Sequence, residues 1–188
     1  MIMDGSEGVL HEIERQASRR WLPIIGVEKA GIIAGIVDKE TPQRALEVGT
    51  NIEYSAIVIA SHMPDGSHLT TLEVNRALAR EAEANIKRAG LKEMVSILVG
   101  DALELIPGVV APIDFAFLDA EKDEYRRYLT LIEPKLRPGS IIVADNVGSS
   151  PRAMGDYLER VRRSGLYESE YKSVGWDGIE VSRRLPAA

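Results

Sequence analysis

The chain has 188 residues, 45% of them hydrophobic, with 23 Lys+Arg against 29 Asp+Glu for a formal charge of −6. That is the balance of a folded chain of one or at most two domains, and its negative sign argues against a general nucleic-acid binder, which needs an electropositive face to displace counterions. The sequence has no cysteine, which excludes disulfides, thiolate metal sites and a cysteine nucleophile.

In chain order, Val9, Leu10, Ile13, Ala17 and Trp21 recur at helical spacing among charged residues and predict an amphipathic helix over 7–21. A second, more buried helix is expected over 27–38, followed by a turn at 41–43. From residue 45 short apolar runs alternate with helical patterns. Strands are expected at 45–48, 68–73, 94–100, 114–120 and 140–147. Between them lie helices at 54–63 and 75–90, a short helical turn at 101–108, and a helix at 121–136 interrupted near Pro134. A helix over 151–165, with proline at its start and glycine at its end, precedes two last strands, 166–173 and 178–185, around a GWDG turn. Repeated β-then-α units with near-continuous apolar strands predict an α/β fold. Its doubly wound, mostly parallel seven-stranded sheet ends in an antiparallel C-terminal pair and is preceded by N-terminal helices. One domain over 1–188 is expected, with 1–43 as a helical lid and 44–188 as the core. No run approaches the ~18 apolar residues of a membrane span. The opening MIMDGSEG also lacks a basic-then-apolar signal layout, so a soluble cytoplasmic protein is expected.

Ligands of such sheets bind beyond the carboxyl ends of the strands, where the strand order reverses. The informative residues are therefore Glu47, Gly49 and Thr50 after the first strand, Glu73 after the second and Asp101-Ala102 after the third. Asp119 follows the fourth strand, and Asp145-Asn146 the fifth. One strand-end acid is commonplace, since turns and helix caps favour it; five on one rim point to a ligand. Glu73, about 20 residues beyond Gly49, is placed to accept from ribose hydroxyls. The first loop, GTNIEYS, has no glycine at Asn51 or Tyr54, so it is not a dinucleotide fingerprint and disfavours a nicotinamide oxidoreductase.

The runs ALEVGTNIEYSA, VGDALELIPG, DFAFLDAEKDEYRRY, LRPGSIIVADNV and DGIEVSRR resemble those of the class I S-adenosylmethionine-dependent methyltransferases, and within them the metal-dependent, catechol-type O-methyltransferases. The likeness runs from about residue 44 to 184 and implies a Rossmann-like methyltransferase fold. It implies that Gly49 lets the backbone approach the methionine part of S-adenosylmethionine, that Ser55 binds its carboxylate, and that Glu47 shapes that pocket. Glu73 would hold the ribose, and Asp101 and Ala102 would border the adenine. Asp119, also counted with the cofactor residues, would join Asp145 and Asn146 in ligating Mg²⁺ or a similar divalent cation, with Lys122 as the base. Two carboxylates and an amide are hard oxygen donors of the kind Mg²⁺ prefers. His11, His62 and His68 lie off this rim.

The first loop departs from the family's Gly-Thr-x-Thr-Gly-Tyr-Ser pattern: Ile52 stands for the second threonine and Glu53 for the second glycine. If that position has positive φ, glutamate there costs about 1–2 kcal/mol, and its charge would repel the cofactor's carboxylate or pair with its ammonium. Large gatekeeping rings around the acceptor are not evident, although Trp176 could supply one. The leading expectation is O-methylation of a small catechol-like or vicinal-diol acceptor, by a chain that could form a homodimer. One alternative is a hydroxylated tRNA base as acceptor, read by a basic face of Arg152, Arg160, Arg162, Arg163, Lys172, Arg183 and Arg184. The other is a non-catalytic scaffold whose cofactor loop Glu53 has spoiled.

Overall fold

A computed structural model describes residues 4–20 and 23–186. Helix α1 spans Asp4–Arg20 and buries the expected stripe Val9, Ile13 and Ala17; Trp21 lies outside the described residues. Helix α2, Gly26–Glu40, buries Ala30, Ile33, Ala34 and Val37, with Lys29 on the same face. Strands β1 (Arg44–Val48), β2 (His68–Glu73), β3 (Val95–Val99), β4 (Ile113–Leu118) and β5 (Leu136–Ala144) alternate with helices α3 (Tyr54–His62), α4 (Arg76–Arg88), α5 (Ala102–Leu105) and α6 (Tyr125–Ile132). Helix α7 (Gly155–Arg163) leads into β6 (Tyr167–Val174) and β7 (Asp177–Arg184).

The seven strands form one sheet in the order β3-β2-β1-β4-β5-β7-β6. Its first five are parallel, and β7 runs antiparallel to both β5 and β6. Because successive strand residues face opposite ways, the parallel strands feed two cores. Ala45, Phe115, Phe117, Ile141 and Val143 pack with α1, α2 and α3. Leu46, Val48, Ala116, Leu118, Ile142 and Ala144 pack with α6 and α7. The chain moves outward from β1 to β2 and β3, then returns to place β4 on the other side of β1. The crevice of the sheet therefore opens between the carboxyl ends of β1 and β4.

Several boundaries differ from expectation, three of them in ways that bear on the site. Strand β5 starts at Leu136 rather than 140, because Leu136 pairs with Ile113 ahead of a register shift. Gly139 takes a left-handed φ of 91° there, and Ser140 Oγ closes the irregularity by donating to Ile113 O at 2.7 Å. Helix α7 starts at Gly155 rather than at Pro151. The chain first winds through turns in which Ser150 N donates to Asn146 O (2.9 Å) and Met154 N to Ser150 O (3.3 Å). The helix expected over 121–136 is α6 flanked by single 3₁₀ turns, Lys122–Glu124 before it and Glu133–Lys135 after it. Lys122 thus leaves β4 on a tight turn rather than on an α-helix.

Candidate active site

The crevice begins at Gly49, whose N–H donates to Leu72 O at 3.0 Å. Its φ is 100°, and a β-carbon there would lie 2.2 Å from Asp119 O, so only glycine lets β1 and β4 end this close together. The loop continues with Asn51 (φ 50°) and Glu53 (φ 76°), both left-handed. Asn51 Nδ2 clips the loop to the segment before α2 by donating to Pro23 O at 2.6 Å. Glu73, at the end of β2, accepts Asn51 N on one carboxylate oxygen and Asn75 N on the other, each at 2.7 Å. Each oxygen keeps a further lone pair.

These residues line a cleft of about 300 Å³ that brings Gly49, Glu73, Val74, Asp101, Ala102 and Asp119 together, the lower end of the size range for small-molecule sites. Asp101 also caps α5, accepting Leu103 N at 2.8 Å. A narrow extension of about 20 Å³ reaches from Gly49 and Asn51 to Ser55. Beneath it lies Glu47, fully buried, which reaches neither cavity's wall. Ser55 Oγ and Thr71 Oγ1 donate to its two oxygens at 2.5 and 2.6 Å. Burial outweighs these two hydrogen bonds, and Asp119 and Glu73 add repulsion, pushing its carboxyl up to about 8.

Glu53 confirms the conditional expectation of positive φ. Its charge, however, acts on neither end of a cofactor: the side chain turns into the interior with no exposed surface. Both of its oxygens are without a hydrogen-bond partner among the described residues. Burial, then repulsion from Glu47 and Glu83, pushes its carboxyl up to about 9, so near neutral pH it is a neutral acid. The cleft is left open, and the scaffold reading loses its main support.

On the other side, β4 and β5 end in register, Leu118 opposite Ala144, which sets Asp119 and Asp145 side by side. Asp119 N donates to Val48 O (2.9 Å) and Asp145 N to Leu118 O (3.0 Å), extending the ladder past both strands. Lys122 Nζ folds back to donate to Asp119 Oδ1 at 2.9 Å and Ala120 O at 2.8 Å. Asp145 is buried, and burial followed by repulsion from Asp119 raises its pKa despite the nearby Lys29 ammonium. Asn146 takes the left-handed φ of 62° that asparagine tolerates best among side chains. Among the described residues no three carboxylates or imidazoles converge as a ready metal cage; the family resemblance makes the Asn146 amide the third donor of a cation site. Two mutually repelling carboxylates beside an amide form a hard-oxygen donor set that fits a divalent cation.

Two residues here were not singled out from the sequence. Lys29 of α2 donates to Asp145 Oδ1 and, at 2.7 Å, to Asp177 Oδ2. Asp177, at the start of β7, also accepts Asn146 Nδ2 at 3.0 Å and Ser149 N at 2.8 Å. Burial raises the pKa of Asp177, but the bonds from Lys29, Asn146, Ser149 and Gly178 outweigh it and hold the carboxyl well below its ordinary value. The signal for Lys29 was its alignment with Ile33 and Val37, four residues apart on the apolar face of α2. Asp177 opens the DGIEVSRR run, where no role was read for it.

The expected basic face is mixed rather than basic. Arg160 is bidentate to Glu133 and Arg162 to Glu180, while Arg183 pairs with Glu40 and Lys172 with Glu170. No helix among the described residues is long and apolar enough to cross a membrane.

Residues 4–154 match the family model described as O-methyltransferase. Catechol O-methyltransferase B of Danio rerio is 36% identical over 160 residues, covering 81% of this chain and 60% of that protein. Catechol O-methyltransferase of Mus musculus is 33% identical over 192 residues, covering 97% of this chain and 71% of that protein. The chain thus spans between 60% and 71% of the length of these two relatives. The O-methyltransferase from Bacillus cereus, solved in complex with SAH, superposes with a TM-score of 0.85 at 26% identity, covering 94% of this chain and 90% of that one.

Proposed function

Because the chain belongs to the O-methyltransferase family, we propose that it methylates a hydroxyl of a small catechol-like or vicinal-diol acceptor. S-adenosylmethionine would be the donor, and Mg²⁺ or a similar divalent cation would hold the acceptor. The observation that carries this reading is the double role of Asp119, which lines the cofactor cleft and bonds the Lys122 ammonium at the oxygen rim. A cofactor cleft and a cation site that share a residue can bring donor and acceptor into contact.

Glu73 turns its spare lone pairs to the ribose hydroxyls, while Asp101 and Ala102 border the adenine. Gly49 gives the methionine end close approach to the backbone. Ser55, held from below by Glu47, faces that end across the narrow extension. Asp119, Asp145 and Asn146 Oδ1 would hold the cation. When bound, the donor supplies an electrophilic methyl carbon and the cation supplies charge that acidifies an acceptor hydroxyl. Lys122, in its neutral form, takes the hydroxyl proton at Nζ. The ammonium so formed already has Asp119 Oδ1 and Ala120 O in place to receive it. Holding the acceptor hydroxyl close to the bound donor would supply much of the rate, since proximity can be worth about 7–11 kcal/mol. Trp176, 84% exposed beside Asp177, offers the acceptor ring an aromatic wall.

The ion pairs across the arginine-bearing face weigh against a tRNA acceptor. Titration calorimetry with SAH, with and without Mg²⁺, tests the reading. Binding in both, with Mg²⁺-dependent turnover of a catechol, is expected; no heat with SAH would leave the scaffold reading standing.

A further inference from the structure

The amide of Asn146 can bind a cation only through Oδ1, and an amide can present either end. What fixes it is the chemistry of its neighbour. Lys29 Nζ and Ser149 N, which only donate, bond the two side-chain oxygens of Asp177, Oδ2 at 2.7 Å and Oδ1 at 2.8 Å, so both oxygens act as acceptors. The amide atom 3.0 Å from Asp177 Oδ2 must therefore be the NH₂ group, so Oδ1 is the end left free. Further contacts make Asp177 hard to displace. Its carboxylate is buried, and Tyr171 Oη donates to its carbonyl at 2.9 Å. A β-carbon on Gly148 would lie 2.8 Å from Asp177 Cα, and one on Gly178 would lie 2.5 Å from Lys172 O, so backbone packs tightly on either side.

We infer that Asp177, anchored by Lys29 and Ser149, is a positioning residue that sets the Asn146 amide with its carbonyl oxygen toward the cation and so determines cation affinity. It need not touch the ion, the donor or the acceptor. The same ammonium bonds Asp145, so α2, β5 and β7 meet at one point behind two of the three proposed ligands. The inference rests on the cation site proposed above.

The test is Mn²⁺ affinity, read by electron paramagnetic resonance in the presence of SAH, with SAH affinity in the absence of metal as the control for folding. Asp177→Asn leaves one acceptor oxygen where Lys29, Asn146 and Ser149 together use two, and it should weaken Mn²⁺ by about 10–100-fold, as lost support of a ligand does, with SAH affinity unchanged. The double variant Asn146→Asp/Asp177→Asn keeps the total charge and exchanges donor and acceptor across the same contact, so it should recover affinity to within about threefold of wild type. Wild-type Mn²⁺ affinity in Asp177→Asn would overturn the inference. So would a double variant as weak as the single one, because a purely structural role gives no such reciprocal rescue. If Asp177→Asn fails the SAH control, the double variant alone decides by the same criterion. An unmodified protein that binds SAH but no Mn²⁺ would instead remove the cation site itself, a separate outcome.

Discussion

On the β1 side of the cleft, Glu47 and Glu53 are buried with hydroxyls or nothing to bond, and their carboxyls are pushed up to about 8 and about 9. On the β5–β7 side, Asp145 and Asp177 are as deeply buried, yet they share the Lys29 ammonium, and Asp177 is held ionised. Burial alone makes an acid give up its charge; at Asp177 hydrogen bonds led by that from Lys29 outweigh burial, whereas at Asp145 burial and repulsion from Asp119 outweigh the same ammonium. The first arrangement leaves a neutral floor under the donor's pocket. The second keeps Asp177 ionised behind the proposed cation ligands.

The contrast predicts unequal responses to substitution. Asp145→Ala should abolish metal-dependent turnover while leaving SAH affinity unchanged, measured by a methyl-transfer assay beside calorimetry; turnover at the wild-type rate would remove Asp145 from the site. Lys122→Ala should lower kcat by ~10²–10⁴, the range for a lost general base, and wild-type kcat would refute that role.

On the neutral side the effect is on stability and has a definite sign. Glu53 keeps its proton in the folded chain up to about 9, whereas unfolded chains lose it near 4.5. Between those values the folded state binds more protons, so stability falls as pH rises and levels off above about 9. Glu53→Gly removes this burden and the left-handed strain of about 1–2 kcal/mol. Thermal unfolding should therefore shift up by about 2–4 °C per kcal/mol relieved, and by more at pH 9 than at pH 5. An equal shift at both pH values would show that the carboxyl is not held neutral. Smallest of all, Trp176→Ala should raise the acceptor KM severalfold with kcat unchanged; an unchanged KM would place the indole outside the acceptor pocket.

Much of this was legible in the chain. Strand-end acids follow from two-residue periodicity and glycine punctuation, so Glu73, Asp101, Asp119 and Asp145 could be placed on one rim before any coordinates. Boundaries failed where local signals compete with pairing: Pro138-Gly139 precedes the strand expected from 140 but lies inside β5, and Pro151 reads as a helix start but lies in the turns before α7. Glu53 could be flagged as a misfit, but not which way its side chain would turn. Lys29 lies 116 residues from Asp145 and 148 from Asp177, a meeting that only the packing of α2 over the sheet's far end creates. A lysine on an apolar stripe was the sole local sign, and it does not name its partner.

The most direct test of the central claim is a count of bound Mn²⁺ per chain in the presence of SAH. One ion in the wild type and none in Asp145→Ala, with equal SAH occupancy in both, is the predicted result. Equal Mn²⁺ binding by both proteins, or none by either, would contradict the claim that the ends of β4 and β5 hold a cation beside the methyl donor.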